Sequence, residues 1–105
     1  MQIDNLVTIS MQTTDDYEKN LQEFLGMIDS CDPNSLIVAP EVCLSGFAYR
    51  DLKKVAEFSL TAQEKLQEAS KNKVIILSML EYKADKLYNM AKVFADGELV
   101  HERAK

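Results

Sequence analysis

The stretch Ser35-Leu36-Ile37-Val38-Ala39-Pro40-Glu41-Val42-Cys43-Leu44-Ser45-Gly46-Phe47 constrains the fold of this chain more than any other. Leu36 to Ala39 form an unbroken apolar run, the pattern of a strand covered on both faces. Pro40 has no N–H to give a ladder, so the strand ends there. Glu41 then stands at the carboxyl end of a buried strand, where open α/β sheets place ligand chemistry. Burial at that point would raise its pKa and suit it to proton transfer. Taken alone, the residue reads more readily as a loop glutamate facing water, because Glu is seldom buried without a partner.

The flanking sequence supplies the layers that such a strand needs. Leu6-Val7-Thr8-Ile9-Ser10-Met11 is rich in β-branched residues and reads as an opening strand. Asp15 with Glu18 three residues on makes a capping box, so a helix is expected to start there. Tyr17, Leu21, Phe24, Leu25 and Ile28 then fall on one helical stripe, which Cys31 continues as core filler. Asp32-Pro33-Asn34 is turn chemistry leading into the central strand.

Beyond Phe47, residues Ala48 to Asp51 read as a loop and Leu52 to Phe58 as a short helical segment. Thr61 and Glu64 form a second capping box, expected to open a separate helix with Ala62, Leu66 and Ala69 on its apolar face. Val74 to Leu80 is a second apolar strand, and its partner runs from Leu87 to Ala95. Asp96-Gly97 is a hairpin signal, followed by a return strand beginning Glu98-Leu99-Val100-His101. Strands alternating with helices and closing on a hairpin predict a layered α/β fold of β-α-β-α-β order.

The chain has 105 residues, 47% hydrophobic and 28% charged, which suits one modest globular unit and argues against disorder. A net charge of −5 argues, on electrostatic grounds, against nucleic acid and anionic membrane surfaces as partners. No apolar run approaches the ~18 residues of a membrane span. The N-terminus has no basic region ahead of an apolar core, so no secretory signal is read. A cytoplasmic location with two reduced thiols, Cys31 and Cys43, is the expectation. Their spacing suits neither a metal site nor a redox pair.

Ala39-Pro40-Glu41, a short apolar segment and then Gly46-Phe47 resemble the glutamate motif of the nitrilase, or carbon–nitrogen hydrolase, superfamily. Other segments agree in the same order. Asn20-Leu21 is similar to the asparagine–leucine pair of that family's first helix, and Leu87-Tyr88-Asn89-Met90-Ala91 to its tyrosine–asparagine strand. Asp96 to Val100 resembles its glycine-containing hairpin, which leads to a lysine, here Lys105. The resemblance spans essentially residues 1–105. Two features depart from it: Ser78 and Met79 stand where the family often has a glycine, and Met11-Gln12 matches only loosely.

The resemblance implies the first half of an α-β-β-α sandwich of the nitrilase type, cut at the lysine position. It further implies hydrolysis of an amide or nitrile C–N bond in a homo-oligomeric parent enzyme, with no metal or cofactor. Glu41 would be the general base and Lys105 the cation beside the oxyanion. The family's nucleophilic cysteine follows a later strand, so neither Cys31 nor Cys43 occupies its place. Cys43 is read as a small packed side chain and His101, the lone histidine, as a surface residue. The 105 residues are therefore expected to be inactive by themselves, and to self-associate through bare sheet surface. Judged without the resemblance, Lys105 is a solvated lysine. An interaction domain acting through an acidic surface is the competing reading. A phosphate-binding fold has less support, since no glycine-rich loop follows a strand.

Overall fold

The computed structural model describes residues 2–46 and 51–105, so Phe47 and most of the predicted loop from Ala48 lie outside the described residues. Its elements are β1 (Asn5–Thr8), α1 (Tyr17–Asp29), β2 (Ser35–Val38), α2 (Leu52–Ala69), β3 (Val74–Lys83), β4 (Lys86–Ala95) and β5 (Glu98–Ala104). They build one five-stranded sheet in the order β1-β2-β3-β4-β5. β1, β2 and β3 are parallel because α1 and α2 carry the chain back between them. β3, β4 and β5 are antiparallel because short turns join them. The architecture is the expected α/β order, a β-α-β-α-β run followed by a hairpin of strands.

Several boundaries differ from the sequence expectation. β1 stops at Thr8; the Ile9 N–H still donates to Val38 O at 2.9 Å, but Ile9 and Met11 pack into the core rather than extend the ladder. The first helix is capped by Asp16, whose carboxylate accepts the Lys19 N–H, and not by Asp15. The largest correction concerns α2, a single helix of 18 residues. Thr61 therefore lies exposed in mid-helix rather than at an N-terminus. No Gly or Pro separates Phe58 from Thr61 to break the helix. Ser59 satisfies its hydroxyl within the helix by donating to Ala56 O. The true cap is Asp51, which accepts the Lys54 N–H.

The β3–β4 turn is Ala84-Asp85, with φ of 49° and 63°, and the β4–β5 turn is Asp96-Gly97, with φ of 50° and 90°. Two successive left-handed residues match the twist of a two-residue hairpin. β3 runs on to Lys83, beyond its expected end at Leu80, and the return strand β5 that starts at Glu98 reaches Ala104.

Alternation decides what each face of the sheet buries. Ile37, Ile75, Leu77 and Phe94 pack under the helices against Leu21, Phe24, Ile28, Ala62 and Leu66. Cys31, partly buried, packs against this cluster as its place on the stripe predicted. The register puts Leu6, Leu36, Val74 and Ala95 in one cross-strand row, and Thr8, Val38, Ile76 and Val93 in another. Every member of these two rows remains partly or largely exposed. Among the described residues, no helix is long and apolar enough to cross a membrane.

Candidate functional site

The site is built where β2 gives way to a loop. The Ala39 N–H donates to Ile76 O at 2.9 Å, the last contact with the sheet before Pro40. Val42 then takes φ of 42°, a left-handed conformation that a β-branched residue adopts only when its surroundings hold it. The holding contacts are specific. The Val42 N–H donates to Ser78 Oγ at 3.0 Å, and Val42 O accepts from the Gly46 N–H at 2.8 Å. Ser78, which departs from the glycine of the resembled motif, thus has its own task in fastening the loop. At Gly46, with φ of 63°, a Cβ would meet no atom closer than 3.8 Å, so the backbone conformation rather than space calls for glycine.

The strained turn sends Val42, Cys43 and Leu44 into the core, each at most 2% exposed, and leaves Glu41 facing out. Asn20 secures the arrangement from α1. Its Nδ2 donates to Thr14 O and Leu44 O, and its Oδ1 accepts from the Thr14 N–H and Oγ1. The side chain is fully buried and fully bonded, as a buried amide must be. Thr13 Oγ1 adds a bond to Cys43 O at 2.7 Å.

Lys105 arrives from the far end of β5. Its N–H donates to Asn89 O at 2.9 Å, and its Nζ lies 3.5 Å from Glu41 Oε1. Asn89 Nδ2 donates to the same carboxylate oxygen at 2.9 Å. The two sequence-predicted site residues, 64 positions apart, thus meet through β4 and β5. The burial invoked for Glu41 is not found: its side chain is 53% exposed and that of Lys105 46%. A pair so open to water contributes at most about 1 kcal/mol to stability. Its interest is positional.

The cysteines stand apart from this chemistry. Cys43 is packed in the core cluster, and burial pushes its thiol up to about 11, against a smaller lowering by a backbone hydrogen bond. Such a thiol is neutral at physiological pH and a poor nucleophile. The Cys31 thiol donates to Met27 O within its own helix. His101 is exposed on β5. Among the described residues no group of three His, Cys, Asp or Glu side chains is placed to hold a metal.

Sequence reasoning missed the most buried cation among the described residues. Lys92, 1% exposed on β4, donates to Gln63 Oε1 of α2 at 2.6 Å and to Glu81 Oε1 of β3 at 3.2 Å, with Glu102 Oε1 of β5 at 3.8 Å. The signal was a lone lysine between Met90 and Phe94 on the inward face of a strand, a place that requires charge partners. In the sequence Asn89 stands out only as part of the tyrosine–asparagine strand.

A mixed sheet with two helices on one face is the fold of part of the nitrilase, or carbon–nitrogen hydrolase, superfamily. No protein-family model matches the chain, and no curated protein does. Solved structures do. A carbon–nitrogen hydrolase from Helicobacter pylori is similar with a TM-score of 0.80 at 16% identity, over 93% of this chain and 38% of that one. Nit3 of Saccharomyces cerevisiae, a nitrilase-superfamily member, is similar with a TM-score of 0.69 at 25% identity, over 89% of this chain and 40% of that one. A glutamine-dependent NAD(+) synthetase from Cytophaga hutchinsonii is similar with a TM-score of 0.73 at 22% identity, over 90% of this chain and 17% of that one. The chain therefore spans well under half the length of each.

Proposed function

We propose that these 105 residues are the part of a carbon–nitrogen hydrolase that supplies its general base and its oxyanion cation, and that the parent enzyme cleaves a small amide or nitrile. The observation that supports this reading is the meeting of Glu41 Oε1 with Lys105 Nζ at 3.5 Å, at the carboxyl end of β2. Glu41 takes the proton of a cysteine thiol supplied from outside these residues. The thiolate attacks the carbonyl or nitrile carbon, and the charge that develops on its oxygen or nitrogen is stabilised by Lys105. From an amide, Glu41 returns the proton to the leaving nitrogen, and loss of ammonia or an amine leaves a thioester. From a nitrile, the thioimidate first takes up a water and then loses ammonia to give the same thioester. A water activated by Glu41 hydrolyses that thioester to the acid. The scheme needs neither metal nor organic cofactor. Amides rank ahead of nitriles, because similar structures include amidases and glutamine-dependent synthetases. The parent works in the cytoplasm as a homo-oligomer.

The 105 residues alone are inactive on this reading, since Cys43 is packed and neutral. Ammonia release from simple amides, glutamine and nitriles is the test. The isolated chain is expected to give none, and turnover abolished by Glu41→Gln would overturn that expectation. Protein expressed from the whole reading frame is expected to release ammonia. There Glu41→Gln should cost roughly 10²–10⁴-fold in kcat, typical of a lost general base. Unchanged turnover in that variant would sink the assignment.

A further inference from the structure

We infer that Asn89 is the positioning residue of this site, holding the Glu41 carboxylate by one oxygen and the Lys105 backbone by its own carbonyl. The inference rests on the function proposed above for its catalytic meaning, but its geometry stands independently. Among the described residues Asn89 hydrogen-bonds to both Glu41 and Lys105, to the first through its side chain and to the second through its backbone. Its Nδ2 donates to Glu41 Oε1 at 2.9 Å, and its C=O accepts the Lys105 N–H at 2.9 Å.

The setting is rigid. Asn89 lies on β4, paired on one side with Leu80 of β3, which is 4% exposed, while β5 is paired along the other side up to Ala104. A loop carboxylate that is half exposed would otherwise sample several rotamers. The amide orientation is determined by its neighbours. Asn89 Oδ1 is buried and, among the described residues, has no hydrogen-bond partner. Turning the amide over would set an oxygen lone pair against the carboxylate and place the NH₂ where no acceptor waits. Keeping a buried acceptor unbonded is costly, so the contact with Glu41 outweighs that loss.

The same contacts divide the labour of the carboxylate. Asn89 Nδ2 and Lys105 Nζ both address Oε1, and no described residue donates to Oε2. Asn89 therefore leaves Oε2 as the oxygen that receives a proton, with its lone pair directed by the clamp on Oε1. A shape-filling role would ask only for a residue of this size. A positioning role asks for an N–H donor at this point.

Nuclear magnetic resonance of the 105-residue chain separates the two. Wild type is expected to show cross-peaks between the Asn89 side-chain NH₂ and the Glu41 methylenes, and Glu41→Gln to shift the NH₂ resonance. Asn89→Leu and Asn89→Asp keep the size but remove the donor, and both are expected to lose the ordered Glu41 side chain while the Lys105 amide resonance stays in place. The double variant Asn89→Asp with Glu41→Gln exchanges donor and acceptor and is expected to restore the contact. Retention of an ordered Glu41 side chain in both single variants would overturn the inference, as would failure of the double variant to restore it in a chain that remains folded. A negative ammonia assay on the whole protein would instead strike the catalytic reading and leave this clamp untouched.

Discussion

At the residue scale, a single loop sorts three neighbours into different environments. Val42 takes a left-handed backbone, Cys43 is sealed in the core, and Glu41 is turned toward Asn89 and Lys105. The buried thiol makes a pH signature. Its pKa in the folded chain is about 11 against 9.0 for an ordinary thiol, so the unfolded chain releases this proton first. Between pH 9 and 11 the folded state then holds more protons than the unfolded one, and stability falls as pH rises. The contribution is complete below pH 9 and lost through pH 11, on the order of 3 kcal/mol. Urea midpoints of wild type and Cys43→Ala at pH 8 and pH 11 should show a steeper fall for wild type. Equal falls would mean that Cys43 is not the titrating group. Thiol labelling at neutral pH should reach Cys31 before Cys43, because only the former is partly exposed.

Two features at the scale of elements decide how the sheet and helices hold register. In α2 the capping work belongs to Asp51 and not to Thr61. Asp51→Ala should cost about 1 kcal/mol, whereas Thr61→Ala should be neutral or slightly stabilising, because alanine is the better mid-helix residue. Thermal melts of the two variants would reveal a hidden helix break at Thr61 if their order were reversed.

The second feature is the Lys92 node, which joins β3, β4, β5 and α2 through Glu81, Glu102 and Gln63. Glu81 is only 13% exposed; its Oε2 lies 3.3 Å from Lys83 Nζ without the alignment of a good hydrogen bond, so Lys92 is its main partner. Lys92→Met should leave two facing carboxylates and cost about 3 kcal/mol. Lys83→Met, removing a lysine that is 53% exposed, should cost about 0.5 kcal/mol or less. Denaturant unfolding of the pair checks this, and similar losses would show that burial of Lys92 carries no special weight.

At the scale of the whole molecule, one face of the sheet is filled by helices and the other is not. Leu6 is 70% exposed and Val100 53%, and the rows containing Leu36, Val74, Ile76 and Val93 are open as well. An apolar face of this kind favours association. The net charge of −5 opposes it, so association should strengthen with salt as repulsion is screened. Sedimentation of the 105-residue chain is expected to show oligomers, with Ile76→Lys shifting the balance toward monomer. A monodisperse monomer at every salt concentration would count against this use of the face.

The sequence by itself determined the order of elements, the two-residue turn at Asp96-Gly97, the helix stripe from Tyr17 to Ile28 and the place of Glu41 after an apolar strand. These depend on periodicity and backbone chemistry within a few residues, which local sequence carries. Only the tertiary structure decided that α2 runs unbroken past Thr61, because a cap motif and a helix interior share the same residues. Packing alone decided that Glu41 is open to water, that Lys92 is buried among carboxylates, and that Asn89 ties Glu41 to Lys105. Those relations join residues between 10 and 64 positions apart. Their energies arise when strands pair and helices cover them, and no local pattern encodes a distance that the register of the sheet has yet to set.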